Sequence, residues 1–172
     1  MSYAVVRTDK MTGTDVRSEL TSVRYVANDE FAAIENGNVV KLDGLETDSK
    51  SVITSREVYK GIAPTADAPI KDVVLIASPE VMYDERKREL DQFINEAGTI
   101  SRGYHLHTND VFSVTIEALD SENTPAVGNL VELQAGTKLK VVSEATEGST
   151  QIGSIIDINV VGRYTYYAIK VN

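Results

Sequence analysis

A chain of 172 residues with 42% apolar side chains is long enough to bury a real core within one ordinary domain. It has no cysteine, which excludes disulfides and thiolate metal sites, and its 17 basic against 26 acidic side chains leave a formal charge of -9 that repels nucleic-acid phosphates and anionic lipid. No stretch approaches the roughly 18 apolar residues of a membrane span, and no basic N-terminal stretch leads into an apolar run, so the expectation is a protein made in the cytoplasm with neither nucleic acid nor membrane as partner.

In chain order, residues 1–20 carry few apolar side chains beyond Val5 and Val6, and the stretch from Thr8 to Glu19 is rich in Thr, Asp and Gly. This composition reads as an extended N-terminal arm that becomes ordered on a partner. Residues 21–172 read as a single β-rich globular domain. Short runs at 23–27, 31–35 and 38–42 flank the dipeptide Asn36-Gly37, and an Asn-Gly pair between two such runs predicts a hairpin, because both central residues of its turn need positive φ. Residues 57–63 read as a strand before a connector that Pro64 and Pro69 keep out of regular pairing. The run Val73 to Ala77 is continuously apolar, as a strand covered on both faces would be.

Ser78 and Pro79 then offer a helix start. Tyr83, Leu90, Phe93, Ile94 and Ala97 recur at the spacing of one helical face, Asp84 and Arg88 stand four apart on another, and Gly98 is a natural stop. One amphipathic α-helix is therefore expected over about 79–97. Beyond it, apolar and polar residues alternate at 111–118, 131–134, 138–141 and 156–160, and a tyrosine-rich run, 164–171, ends the chain. The fold class expected is mainly β, an antiparallel β-barrel or sandwich with that helix packed on it.

The residues that could carry chemistry are few. His105 and His107, the only histidines, stand two apart and would share one face of a strand, with Asp110 close by. Two imidazoles and a carboxylate can hold a metal, which makes a metal-dependent hydrolase the alternative reading, but no further ligand stands at a recognisable spacing. There is no Gly-x-Ser-x-Gly elbow and no glycine-rich phosphate cradle. The expectation is a binding or structural protein, not an enzyme, with no cofactor and no small-molecule substrate. The mixed charges from Asp84 to Asp91 form either a solvent face or a docking face.

The order of segments carries a resemblance: residues 35–45 (ENGNVVKLDGL), 57–60 (EVYK), 63–66 (APTA), 79–85 (PEVMYDE), 95–98 (NEAG), 102–107 (RGYHLH) and 111–115 (VFSVT). Over about residues 22–172 the chain resembles a family of capsid decoration, or cement, proteins encoded near the major capsid protein of tailed bacteriophages. That resemblance implies a virion protein on the outer surface of the assembled head, bound to the major capsid protein lattice as a homotrimer and stabilising contacts between capsomers. It implies no catalytic residue; the apolar side chains of the arm, Val5, Val6, Met11 and Val16, which lie outside the resemblance, are the candidate capsid contacts. Another virion component of the tail or head completion region is the alternative within the same class.

Overall fold

The computed structural model describes residues 2–11, 19–46, 58–84, 86–87 and 89–172. The protein is mainly β, 46% strand, and is built from a closed five-stranded barrel and a curled sheet. The strands in chain order are β1 (Val6–Lys10), β2 (Leu20–Ala27), β3 (Glu30–Phe31), β4 (Val39–Leu45), β5 (Val58–Ile62), β6 (Val73–Ile76), β7 (Ser101–His105), β8 (Val111–Val114), β9 (Leu119–Asp120), β10 (Leu130–Glu132), β11 (Leu139–Val142), β12 (Gln151–Val161) and β13 (Tyr164–Val171).

The barrel runs β2-β5-β4-β6-β7 and closes by β7 pairing back to β2, with β3 attached to the end of β2. An odd number of strands cannot close with every neighbour antiparallel, and the parallel pair is β2 with β5, Ser22 opposite Val58 and Tyr25 opposite Gly61. Val23, Val40, Val74 and Ile76 fill the interior, with Ile34, Tyr25 and Leu42 packed on them. So small a barrel has no space for a side chain at every inward position. Two inward positions are glycine: a Cβ on Gly61 would stand 2.5 Å from Val23 Cγ1, and one on Gly103 would stand 2.9 Å from Val74 Cγ2.

The curled sheet has the order β1-β8-β13-β12-β10-β11-β9. Its concave face holds the larger core: Phe112, Val114, Val131, Leu133, Leu139, Val141, Ile152, Ile155, Tyr167, Ile169 and Val171, all buried. Val39, Val73, Leu75 and Tyr104 of the barrel enter this same core from outside the barrel. The strands β4 and β6 thus alternate between two cores, Val39, Val73 and Leu75 outward and Val40, Val74 and Ile76 inward. That is the double covering expected of residues 73–77, and all four residues of β6 are fully buried.

Three expectations are corrected. The amphipathic helix over 79–97 is absent: among the described residues no helix reaches seven residues, and this stretch holds only a 3₁₀ turn, Leu90–Gln92. The groups that would have started the helix are engaged elsewhere, since the Ser78 amide donates to Asn36 Oδ1 at 3.0 Å and its hydroxyl oxygen accepts the Arg102 amide at 3.0 Å. The positive-φ turn falls not at Asn36-Gly37 but at Asn28 and Asp29, with φ of 52° and 61°, between Ala27 and Glu30. At 36–37 only Gly37 has positive φ, and β4 pairs with β5 and β6.

The third correction concerns the N-terminal arm. Residues 6–10 form β1 of the curled sheet, Val6 opposite Val114 and Lys10 opposite Val111. Val5 and Thr115 exchange bonds, the Val5 amide to Thr115 Oγ1 at 3.1 Å and the Thr115 amide to the Val5 carbonyl at 2.9 Å. A run of only three apolar residues, Ala4 to Val6, suffices because β8 supplies a complete edge for it to pair with.

The two inward glycines generate a stability test. Gly61→Ala is expected to cost about 1–3 kcal/mol by overpacking the barrel, and adding Val23→Ala is expected to restore part of that loss instead of adding to it, as a double-mutant cycle by urea unfolding will show.

Candidate interaction surface

The chain between β6 and β7 crosses the outer surface of the barrel as a long strap, held at both ends by buried asparagines. Asn36 donates from Nδ2 to the Ser78 carbonyl at 2.8 Å and to Glu80 Oε1 at 3.2 Å, while its Oδ1 accepts the Ser78 amide. Asn95 donates from Nδ2 to the Ile34 carbonyl at 3.0 Å and to Asn36 Oδ1 at 3.1 Å, and its backbone pairs with that of Ile34. Both amides are almost wholly buried, at 1% and 5% exposure. Buried and held by these bonds, they set where the strap begins and ends.

Between those ends the strap turns apolar side chains to solvent. Tyr83 is 95% exposed and Val81 60%. With Ile100, Pro79, Leu20 and Tyr59 they line an open groove of about 1260 Å³ between the strap and the outer face of β2 and β7. Single exposed apolar residues are ordinary, but several along one groove make it a candidate interaction surface. Next to them, Asp84 accepts the Arg86 backbone amide and side chain at 3.1 and 3.0 Å, and the Arg86 bonds hold its carboxyl below the usual range.

A second fastening lies at the far end of the strap. The Asp91 carboxylate accepts the Ser2 hydroxyl at 2.9 Å, the Arg163 guanidinium and, at 3.4 Å, the Tyr164 hydroxyl, while the Asp91 carbonyl accepts the Tyr3 amide at 2.8 Å. One aspartate thus joins the N-terminus, the strap and the β12–β13 turn. Burial alone would raise its pKa, but the Ser2 bond, Arg163 and Tyr164 together outweigh burial and hold the carboxyl below its ordinary value. Beside it lies a cleft of about 730 Å³ bounded by Tyr3, Glu117, Asn123 and Thr165.

The residues expected to contact a capsid are placed differently. Val5, Val6 and Met11 are buried in this chain's own core, at 2, 8 and 7% exposure, and Val16 lies outside the described residues. A partner would reach the first three only by stripping β1 from β8. Tyr83 was read with Leu90, Phe93, Ile94 and Ala97 as one face of a helix, which would turn it inward, whereas it is 95% exposed beside Val81.

The histidine pair does not share a strand face. β7 ends at His105, and His107 opens a turn in which the Asp110 amide donates to the His107 carbonyl and Asp110 Oδ2 accepts the His107 amide, both at 3.0 Å. His107 Nδ1 lies 2.9 Å from Glu19 Oε2 and 3.8 Å from Asp110 Oδ2. Burial, then the neighbouring His107, lowers the His105 pKa against the opposing pull of Glu19. Among the described residues no three His, Asp or Glu side chains come together as a metal site.

The Asp91 junction has a definite pH signature. The carboxyl is lowered in the folded protein, so its contribution is complete above the ordinary carboxylate value of about 3.9 and disappears as pH falls through the lowered folded value. Wild type is expected to exceed Asp91→Asn in stability at neutral pH, and the difference, followed by urea unfolding, to shrink as pH falls below the ordinary carboxylate value of about 3.9.

No protein-family model, curated protein or solved structure matches this chain.

Proposed function

We propose that this protein is a decoration protein of a tailed-phage capsid. Three copies come together as a homotrimer only on the outer surface of the assembled head, where they stabilise contacts between capsomers, and the protein acts by burying surface, not by turning over a substrate. One observation carries the binding surface: an exposed apolar stretch, Val81 to Tyr83, on a strap whose ends are fixed by Asn36 and Asn95. A rigid mount lowers the ordering cost of binding, because the backbone of the contact is already set. A repetitive shell offers the same contact many times, so a weak single contact suffices. The order of segments that resembles decoration proteins supports the same reading.

Mixing the purified protein with its cognate empty shells and imaging the pellet by electron microscopy tests this directly. Density on the capsid faces is the expected result. Density confined to a vertex or tail would move the protein to the head completion or tail class, and absence of any binding would end the capsid reading. In the same co-sedimentation assay, Val81→Asp combined with Tyr83→Ala is expected to weaken binding by about tenfold or more with the circular dichroism unchanged, because both side chains lie outside the core.

A further inference from the structure

The hairpin of β12 and β13 extends beyond the sheet that carries it. β10 pairs with β12 only as far as Ser154, and the turn at 126–129 accounts for Ile155, whose carbonyl accepts the Gly128 amide at 2.8 Å and whose amide donates to the Asn129 carbonyl at 2.9 Å. Past that point no described strand lies along the outer side of β12, so residues 156–161 form an open edge. Val160, Val161 and Ile156 on this edge are 73, 51 and 44% exposed.

The register tells which backbone groups are open. Val161 and Tyr164 flank a two-residue turn with Gly162 at φ 61°. The pair that closes such a hairpin is hydrogen-bonded, and the character alternates along the ladder. Asn159–Tyr166 and Asp157–Ala168 are therefore bonded pairs, whereas Ile158–Tyr167 and Val160–Thr165 are not. The amides and carbonyls of Ile158 and Val160 consequently point away from β13, along the open edge.

One of these amides is covered. Asp157 Oδ1 accepts the Ile158 amide at 2.9 Å, and Asp157 Oδ2 accepts Asn159 Nδ2 at 2.8 Å. A bulge between Ile155 and Asp157 sits immediately before it. A bulge and a charged side chain along the edge are both means by which strands avoid pairing with other strands.

We propose that the outer edge of β12 is a strand-pairing surface for a second copy of this chain, and that Asp157 holds it closed. Two such edges match antiparallel about a dyad through Asn159. Ile158 then stands opposite Val160 of the second copy and Val160 opposite its Ile158, which forms four N–H···O bonds and two apolar cross-strand pairs. Asn159 meets its own counterpart, and Asp157 stands opposite Val161, so no like charges face one another. This self-complementarity meets the requirement of an isologous twofold contact, with apolar residues opposed and no like charges face to face, and so makes a second copy a matching partner. Six residues bury far less than a standard interface of about 1600 Å², and each chain carries a charge of -9. Pairing is therefore weak until the cap is removed or copies are crowded together.

The test uses the full-length protein in isolation and so stands or falls apart from shell binding. Sedimentation equilibrium is run on wild type, Asp157→Ala, Asp157→Asn and the double variant Asp157→Ala/Val160→Pro, with circular dichroism to confirm folding. Asp157→Ala frees the Ile158 amide in both copies and is expected to dimerise about thirtyfold more tightly than wild type, the equivalent of two hydrogen bonds. Asp157→Asn keeps an oxygen acceptor and is expected to stay near wild type. Proline at 160 removes an outward donor without touching the β13 ladder, so the double variant is expected to return to monomer. In Asp157→Ala, exchange of the Ile158 and Val160 amides is expected to slow as concentration rises. The proposal is overturned if Asp157→Ala associates no more than wild type, if Asp157→Asn associates as strongly as Asp157→Ala, if the double variant still dimerises, or if the assemblies grow beyond dimers.

Discussion

β6 has no solvent face, and the rest of the molecule is arranged around that fact. Val74 and Ile76 complete the barrel interior, while Val73 and Leu75 enter the core beneath the curled sheet. Because side chains alternate, a slip of one residue would exchange the two sets, placing each in a cavity shaped for the other. The register is held by β4, Val39 opposite Leu75 and Lys41 opposite Val73, and by β7, with Val74 opposite His105 and Ile76 opposite Gly103. Connecting backbone adds to this: the Gly37 amide donates to the Ile76 carbonyl at 2.7 Å, and the Ile76 amide to the Asn38 carbonyl at 2.8 Å. Once β6 is fixed, so is the start of the strap, since Ala77 and Ser78 follow directly.

Buried polar groups serve chiefly to fasten irregular backbone. Asn36 and Asn95 hold the strap, Asp110 shapes the turn between β7 and β8, and Glu132, with no exposed surface, accepts the Thr146 amide at 2.8 Å. At the edge of the barrel, Arg24 meets Glu46 at 2.5 Å and lies over the Phe31 ring. Each of these groups gives up water for a partner, a costly exchange if any partner is lost. Polar residues used in this way make the loops definite in shape.

Local pattern disclosed most of the curled sheet and little of what lies over the barrel. The alternation at 111–114 and 139–141 survives because one face of each strand meets a single core, whereas at 131–133 Glu132 is as buried as Val131 and Leu133; β6 was legible because a strand covered on both faces has no polar positions. The strap was misread because Tyr83, Leu90, Phe93 and Ile94 follow a helical period that long-range bonds override: Ser78 is bound to Asn36, 42 positions away, and Asn95 to Ile34, 61 positions away. Nothing in a window of a dozen residues records such a bond. The Asn-Gly signal failed similarly, since Asn36 is retained for its side chain and Gly37 lies where a Cβ would stand 3.0 Å from that of Ala118. His105 and His107 looked paired only under the assumption that one strand continues through both.

The two surfaces left open differ in what they expose, and so in what they can recognise. Around Val81 and Tyr83 the strap offers side chains on backbone fixed by Asn36 and Asn95, so affinity there comes from apolar area and selectivity from the shape of the partner. Along β12 the exposed element is the backbone itself, which any extended chain can satisfy, and selectivity must come from excluding wrong partners. Asp157 supplies that exclusion by occupying the Ile158 amide. The strap can therefore stay open, while an unguarded β12 edge would pair with any extended chain it met; the difference in chemistry explains why one surface is bare and the other is capped.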